Sequence, residues 1–482
     1  MDMLAIALSL LLLSLVFFTA RRFCSGDEGA KIPPGPLRLP LLGNILQIGG
    51  KPHRSLMDLS RTYGSVVSLK LGCLTTVVIS SAEAAKQVLK HMTMSCVIGS
   101  PLTRFEPLVT TSVPLSGYLR LLVGEATKDL RMRKVQELIC FVNKCSERSE
   151  EMNITRASFI TSLNIISNAL FSTNLANLDG SETAHDFQNV VLRMMEIAGK
   201  PKIADFFPFL GFLDLQGTRK EASLWMNKLF SVFQRFIDTK RSSNESTKNN
   251  NDILDSLLNI AQEEESELDD NGIKHFLLDL FLAGTDTSSS AVEWAMAELL
   301  RNPKMMVKAR EEIRQVIRRN DTVQESDIFK LPYLQAVVKE TLRLHPPVPF
   351  LIPRKSESDH VRIFEFLIPK NAQVLVNIWA IGRDPSAWEN PTKFEPERFL
   401  GREIDVKGND FELIPFGAGR RICPGMPLAF RVVHLVLASL LYGFDWKFQN
   451  GVVPGNLDMN EAFGVTLHRA EPLYAVPIKK RV

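Results

Sequence analysis

Apolar residues open the chain in one long run and then recur at helical spacing over most of its length. Residues 3–20 carry no charge, and as a helix they would span about 27 Å, close to the hydrocarbon thickness of a bilayer. Arg21 and Arg22 follow at once, so the positive-inside rule places the rest of the chain in the cytosol. A cleaved signal peptide is the alternative, but the acidic start and the lack of a small-residue cleavage site favour a membrane anchor over residues 1–22.

Two further patterns follow the anchor. Residues 23–36 form a proline-rich hinge, and the PPGP sequence at 33–36 excludes a helix and favours stiff extended backbone. We interpret the hinge as a rigid spacer between membrane and body. Val66–Leu71 and Thr75–Ile79 are rich in β-branched residues around Gly72, which predicts a β-hairpin.

One apolar segment departs from the helical pattern that otherwise continues to Leu344. Ala204–Phe212 is apolar and aromatic, but Pro208 and Gly211 interrupt it and make it a poor helix. Two interpretations stay open: a buried corner of the core, or a lip that dips into the membrane beside a substrate channel. No shift in composition divides the body, so residues 37–482 are expected to form a single domain.

The strongest helical pattern has a polar centre. Apolar residues recur at helical spacing from Ile273 to Leu300, which predicts a long helix. Residues 283–290 in its middle read AGTDTSSS, a composition that costs about 3–4 kcal/mol relative to alanine in a helix interior. Gly284 would let a ligand approach the backbone, with the carboxylate of Asp286 and the hydroxyl of Thr287 beside it. The alternatives are a tolerated polar kink and a pocket where a small ligand and protons are handled.

A second helix carries a charged pair. Tyr333–Leu344 is amphipathic, and Glu340 and Arg343 are three residues apart, so they share a face and can pair. Alone this is an ordinary salt bridge. Arg398, in the PERF sequence at 396–399, would extend the pair to a triad that rigidifies the core.

The most informative stretch is a glycine-rich loop around one cysteine. Residues 416–425 read FGAGRRICPG and precede a strongly apolar helix at Met426–Tyr442. The glycines permit a tight loop whose N–H groups converge, and these donors together with Arg420 and Arg421 favour the thiolate of Cys423. With no second Cys or His nearby, a zinc or iron–sulfur site fits poorly. A single thiolate suits a haem iron, whose equatorial bonds come from the macrocycle.

Composition narrows the classes of function. The chain has 482 residues, of which 45% are hydrophobic and 23% charged, as in ordinary globular proteins. A net charge of +3 without a basic stripe excludes a nucleic-acid binder, and the single long uncharged stretch excludes a multi-span transporter. Six cysteines without a CxxC pair are expected to be reduced thiols facing the cytosol.

Together these motifs resemble those of the cytochromes P450. The loop at 416–425 resembles the family's haem-binding signature, residues 283–288 its oxygen-activation motif, and Glu340-x-x-Arg343 with 396–399 its structural triad. The motifs occur in the family's order over nearly the whole chain. The sequences around them are similar to those of plant microsomal enzymes of the geraniol 8-hydroxylase and ferruginol synthase type. The resemblance implies a mainly α fold with small β-sheets, preceded by an N-terminal transmembrane helix.

The resemblance also implies a reaction. A haem-thiolate monooxygenase on the endoplasmic reticulum membrane would hydroxylate a lipophilic small molecule, expected to be a terpenoid. It would use O2 and NADPH electrons delivered by NADPH–cytochrome P450 reductase. Cys423 would be the thiolate ligand of haem b, and Asp286 and Thr287 would be the catalytic pair that relays protons. The further implied haem contacts are Arg421, Arg354, Phe416, Gly417, Gly425, Ala283 and Gly284. The implied substrate contacts are Phe281, Leu282, Val348, Phe350, Phe463 and Val465.

One family element has no counterpart. The family carries a W-R-x-x-R/K helix that holds a haem propionate and contributes to the reductase face, but no tryptophan precedes Trp225 here. The stretch at 105–130 is shorter than the family pattern, with Tyr118 and Arg120 as a weak remnant. Two alternatives therefore stay open: a catalytically impaired P450-like protein, and a haem-thiolate isomerase or dehydratase. The Asp286–Thr287 pair disfavours the isomerase or dehydratase.

Overall fold

Helices make up most of the described chain, as the apolar periodicity predicts. The structure is a computed structural model that describes residues 31–91, 94–96, 127–179, 182–242, 252–263, 268–318, 322–358, 360–448 and 453–479. The predicted membrane anchor at 1–22 and most of the shortened stretch at 105–130 lie outside these residues.

The helices fall into two groups along the chain. The first group is α1 Ile45–Ile48, α2 Pro52–Tyr63, α3 Ala82–Lys86, α4 Lys128–Arg148, α5 Ile154–Phe171, α6 Glu182–Gly199, α7 Ile203–Phe206 and α8 Thr218–Ser242. The second group is α9 Ile253–Ala261, α10 Asp270–Arg301, α11 Pro303–Val316, α12 Pro332–Leu344, α13 Ile378–Ile381 and α14 Met426–Gly443. Short 3-10 turns occur at Pro208–Leu213, Glu325–Lys330, Pro396–Phe399, Gly419–Arg421 and Pro454–Asn456.

Small sheets flank the helices. The strands are β1 Val66–Leu71, β2 Leu74–Ile79, β3 Met94–Cys96, β4 Met152–Asn153, β5 Arg354–Ser356, β6 Arg362–Ile363, β7 Phe366–Leu367, β8 Gln373–Val376, β9 Phe444–Lys447, β10 Glu461–Ala462, β11 His468–Arg469 and β12 Tyr474–Lys479. The largest sheet has the order β1-β2-β8-β5-β3, and its β1–β2 hairpin turns at Gly72 with a φ of +59°. The predicted hairpin is therefore confirmed, with Leu71 opposite Leu74.

The predicted long helix is α10, and its polar centre does not break it. The helix runs without interruption from Asp270 to Arg301, and its N-terminus is capped by Asp269, whose side chain accepts from the backbone N–H of Gly272. The hydroxyl of Ser289 donates to the Asp286 carbonyl at 2.9 Å, so a helix carbonyl takes up a side-chain donor that would otherwise be unpaired in the core. The polar residues at the centre of α10 therefore do not require a kink in the helix.

The core is largest where helices meet. One large cluster of buried apolar residues joins α5, α10, α12 and α14, and two smaller clusters lie under the five-stranded sheet. In the described part of the chain, α14 is the one helix long and apolar enough to cross a membrane, and most of it is buried in the core. This helix follows the cysteine loop directly, so the core holds that loop in place.

The described part of the hinge is tied to the body. The N–H of Ser68 in β1 donates to the Pro34 carbonyl at 2.8 Å, and the N–H of Leu367 in β7 donates to the Lys31 carbonyl at 2.9 Å. The backbone is extended there, as the prolines predict. Residues 31–36 of the expected rigid spacer thus lie along the sheets of the body.

The apolar segment at 204–212 lies on the surface, so its interpretation as a buried corner is wrong. Phe209 and Phe212 are 64% and 76% exposed, on the 3-10 turn that follows α7. The N–H of Cys73 donates to the Phe206 carbonyl at 2.8 Å, which docks the segment on the tip of the β1–β2 hairpin. An apolar lip therefore projects from the body.

Candidate active site

The cysteine loop is closed by its own backbone. The N–H of Cys423 donates to the Phe416 carbonyl at 2.8 Å, and Gly417 and Gly419 between them have φ values of +72° and +71°. Only glycine adopts this left-handed conformation at low cost. At Gly419 a side chain would also strike the carbonyl of Leu89. These constraints explain the glycines of the motif and place Cys423 at the start of α14.

Two backbone donors point at the cysteine sulfur. The N–H groups of Gly425 and Met426 donate to Cys423 Sγ and lower the pKa of the thiol, as the N-terminus of a helix should. Burial acts more strongly and raises the pKa of Cys423 above its ordinary value. The groups that lower this pKa are therefore backbone N–H groups, whereas Arg420 and Arg421 are exposed. A bound cation is what would make this sulfur a thiolate.

One face of α10 is accessible although the rest of the helix centre is buried. Ala283 is exposed, and Leu282, Gly284 and Thr287 are half-buried. Asp279 is also exposed and lies one turn before Ala283. Because Asp279, Ala283 and Thr287 follow one another at intervals of four residues, their side chains share one face of the helix. The centre of α10 thus presents one accessible face and buries the others.

Asp279 is a residue that the sequence analysis missed. Burial of its carboxyl raises the pKa of Asp279 to about 6, although His275 lowers it. The side chain is reached by water yet enclosed by protein. Its position four residues before Ala283 was the available signal.

Gly284 serves helix packing as well as access. A Cβ at this position would lie 2.7 Å from Cδ1 of Ile166 on α5, well inside van der Waals contact. The α5–α10 pair has the most extensive contact of any two elements in the described chain. The close approach expected at Gly284 is therefore made at least in part by a neighbouring helix.

Asp286 and Thr287 are adjacent in sequence but lie in different surroundings. The Thr287 hydroxyl donates to the Ala283 carbonyl at 2.7 Å and stays on the accessible stripe. The Asp286 side chain has no exposed surface, and its Oδ2 lies 3.0 Å from Nε2 of His468 in β11. Its other oxygen, Oδ1, has no hydrogen-bond partner among the described residues. The acid thus faces the β10–β11 hairpin, and His468 is a second residue that the sequence analysis missed.

The structure brings the three triad residues together. Arg343 Nε and Nη2 donate to Glu340 Oε2 and Oε1 at 2.7 and 2.8 Å, and Arg398 Nε donates to Glu340 Oε1 at 3.0 Å. The side chains of Glu340 and Arg343 have no exposed surface. Arg343 also donates to the carbonyls of Pro391 and Lys393 at 2.7 and 3.0 Å. The triad therefore fastens the segment before Arg398 to α12.

Two of the expected substrate segments meet. The rings of Phe350 and Phe463 lie 6.1 Å apart, edge to face, and the N–H of Leu467 donates to the Pro347 carbonyl at 2.7 Å. Val348 and Val465 in these segments are half-buried.

Phe281 is placed differently. Its side chain is fully buried, with its ring 5.9 Å from that of Phe233 on α8. Of the expected pair on α10, the half-buried Leu282 is therefore the one that remains available to a substrate.

The residues around the cysteine fit a haem. The sulfur is a single soft donor with two N–H groups behind it, which is the ligand type that haem-thiolate iron requires. The Leu351 side chain lies over Gly417, so the apolar segment at 348–352 borders the cysteine loop. Arg421 is exposed in that loop, and Arg354 is buried in β5. Phe416 is half-buried.

Comparison with known proteins identifies the relatives of this chain. The sequence profile of the family described as Cytochrome P450 matches residues 33–105 and 118–475. The protein named cytochrome P450 76C4 from Arabidopsis thaliana is 55% identical, over 97% of this chain and 96% of its own length. Geraniol 8-hydroxylase from Catharanthus roseus is 46% identical over 99% of both chains.

The comparisons also locate the departure from the family pattern. The profile leaves residues 106–117 unmatched, within the stretch where the W-R-x-x-R helix has no counterpart. Cytochrome P450 76AD1 from Beta vulgaris is 44% identical in an alignment that covers 100% of both chains and extends over 505 positions. That relative therefore has residues for which this 482-residue chain has none.

Proposed function

This chain belongs to the cytochrome P450 monooxygenase family, and from that premise we propose that it is a haem-thiolate enzyme that hydroxylates a terpenoid. The observation that carries the proposal is the cysteine loop, in which Cys423 stands at the start of α14 with two N–H groups donating to its sulfur. The full-length similarity to a geraniol 8-hydroxylase supports the proposed substrate class, a terpenoid.

Each group of residues has a separate task in the proposed reaction. Cys423 would hold the iron of haem b, and the cofactor supplies the activation of O2 when it is bound. Arg421 and Arg354 would pair with the haem propionates, as guanidinium groups commonly pair with carboxylates. Thr287 would hold a proton at its hydroxyl on the accessible stripe of α10, and Asp286 would store one behind it.

The substrate site is proposed to be apolar. Leu282, Val348, Phe350, Phe463 and Val465 are the half-buried residues that would line it. Such a lining binds a lipophilic molecule by burial of apolar surface and leaves few polar groups to orient it. A terpenoid alcohol, with a long hydrocarbon skeleton and one hydroxyl, has the matching chemistry.

Turnover with supplied reductase tests the function. Microsomes containing the full chain and NADPH–cytochrome P450 reductase should convert a terpenoid alcohol such as geraniol to a hydroxylated product, and omission of NADPH or of reductase should stop the conversion. Conversion without NADPH to an isomer or a dehydration product would instead support the haem-thiolate isomerase or dehydratase. A folded protein whose ferrous form gives no thiolate-type Soret band with carbon monoxide would support the impaired protein.

We also propose that the apolar lip rests in the endoplasmic reticulum membrane, with the catalytic body in the cytosol. Leu37 and Leu46, near the proposed anchor, are 93% and 69% exposed. The N–H of Gly72 donates to the Leu42 carbonyl at 3.3 Å, so this N-terminal segment borders the same hairpin tip on which the lip docks. The two exposed apolar segments thus form one surface, which favours contact with lipid.

A charge on this surface should impede substrate delivery. In vesicles, the double variant Phe209→Asp/Phe212→Asp should raise KM about tenfold for a substrate dissolved in the lipid and leave kcat unchanged, because charged side chains keep the lip out of the bilayer. Phe329→Asp is the control, because Phe329 is 70% exposed but lies on the Glu325–Lys330 turn. An unchanged KM in the double variant would contradict the membrane contact.

A further inference from the structure

The β10–β11 hairpin joins the substrate site to the buried acid of α10. Its strands pair Ala462 with His468, and the connection between them carries the expected substrate residues Phe463 and Val465. At the tip, the N–H of Val465 donates to the Met195 carbonyl of α6 at 3.4 Å. The base of the hairpin packs on α10.

Three residues of the hairpin hold that base through four contacts. The Leu467 carbonyl accepts from the Ser290 hydroxyl and from Nε1 of Trp294 at 3.1 and 3.2 Å. Arg469 Nε lies 3.7 Å from Oε1 of Glu293. His468 Nε2 lies 3.0 Å from Oδ2 of Asp286. Backbone and charged contacts together fix where the imidazole sits.

The carboxyl group of Asp286 and the imidazole of His468 differ in their access to water. Asp286 has no exposed surface, whereas the His468 side chain is 22% exposed. A buried carboxylate exchanges protons with solvent only through a neighbour, and His468 is the titratable neighbour within hydrogen-bond distance in the described chain.

We propose that His468 is the positioning residue of Asp286 and the group through which this acid is reprotonated. In the step, the Nε2–H bond of the imidazolium breaks and an O–H bond forms at Asp286 Oδ2. The neutral imidazole then takes one proton from a solvent hydronium ion, which leaves as water, and becomes cationic again, so charge and protons balance. The proposal rests on the proposed monooxygenase function, in which Asp286 supplies protons.

The charges around His468 favour its cationic form. Burial lowers the pKa of His468, but the charge and hydrogen bond of Asp286, and then the charge of Glu293, raise it to a net value above the ordinary one. The other charged groups at this place are paired: Arg469 faces Glu293, while Glu461 on β10 faces His53 and Arg54 of α2. Because the folded pKa is raised, the pair stabilises the fold fully below about pH 6.5 and loses this effect as the pH rises through the folded value.

A titration without turnover tests the pair directly. The full chain with ¹³C-labelled histidine, in lipid nanodiscs and in the ferrous–carbon monoxide form, should show a His468 signal whose pKa exceeds the model-peptide value of about 6.5. The signal is assigned by its loss in His468→Gln. Asp286→Asn should lower the pKa of His468. A His468 pKa that does not change in Asp286→Asn would overturn the proposal.

The pH profile of coupling tests the proton route. Coupling, the fraction of NADPH electrons that appear in product, should fall in the wild-type chain as the pH rises through the pKa of His468. His468→Gln keeps a hydrogen-bond donor but cannot titrate, so its coupling should be about tenfold lower at pH 6.5 and independent of pH in this range. His360→Gln, a change at an exposed histidine, should keep the wild-type profile.

The outcomes separate the two proposals. If product forms but His468→Gln retains the wild-type pH profile, the role of His468 is refuted and the monooxygenase function stands. If no substrate is oxygenated by protein with an intact thiolate spectrum, the proposed function fails, and the histidine titration still decides whether the pair exists.

Discussion

Cys423→Ala is expected to abolish the thiolate-type Soret band of the ferrous–carbon monoxide form and all hydroxylation. The reason is that the band requires a sulfur ligand, and the loop presents a single sulfur at the start of α14. The loop conformation depends on the glycines and on the Phe416 carbonyl, neither of which the substitution changes. The change should therefore remove the ligand and leave the fold, as measured by far-ultraviolet circular dichroism.

Two further variants make this expectation decisive. Cys73→Ala removes another half-buried thiol that forms no disulfide, and it should leave the band intact. Cys423→His offers an imidazole instead of a thiolate and should give a band at the position typical of histidine-ligated haem. A thiolate-type band that survives in Cys423→Ala would refute the ligand assignment.

Arg343→Met is expected to cost about 3–5 kcal/mol of folding free energy, because it leaves the Glu340 carboxylate buried and only partly paired. It also removes the donors to the Pro391 and Lys393 carbonyls, so the segment before Arg398 loses its attachment to α12. Ordinary domains are stable by about 5–15 kcal/mol, so this loss is a large fraction of the free energy of unfolding. Urea unfolding and the yield of haem-containing protein measure the effect.

A surface pair provides the control for this variant. Arg193 and Glu196 have the same i, i+3 spacing, but their side chains are 53% and 38% exposed. Arg193→Met should therefore cost less than about 1 kcal/mol. If Arg343→Met unfolds at the same urea concentration as the wild-type chain, the triad does not stabilise the fold.

Residues 106–117, which the family profile leaves unmatched, bear on haem binding and on electron delivery from the reductase. The family element with no counterpart in this region is one that would hold a haem propionate and face the reductase. Arg421 is exposed and Arg354 is buried in β5, and these two are the cations that we propose for the propionates. The carbon monoxide spectrum reports on haem binding and NADPH-driven turnover reports on electron delivery, so the two assays assess the two consequences separately.

Local patterns predicted the elements of this fold well. The helix expected at 333–344 is α12, which begins at Pro332, and the one expected at 426–442 is α14, which ends at Gly443. Both boundaries coincide with prolines or glycines, whose effect on the backbone is local. The hairpin at Gly72 follows for the same reason.

Predictions failed or fell short where the decisive partner is distant in sequence. The exposure of Phe209 and Phe212 depends on docking against the β1–β2 hairpin, more than 130 residues earlier. The tight packing of Gly284 depends on Ile166 of another helix. Phe281 carries the same apolar character as Leu282, but it packs inside the core, with its ring 5.9 Å from that of Phe233.

The sequence by itself determined the family and the order of the elements, and it singled out Cys423 as the ligand that we propose, because spacing within a loop or helix is set by bonds that are close along the chain. The tertiary structure alone decided that Asp286 lies against His468, 182 residues away, and that Thr287 beside it does not. A side chain's direction from a helix and the charge it meets there are results of packing, and packing joins residues that no local pattern connects.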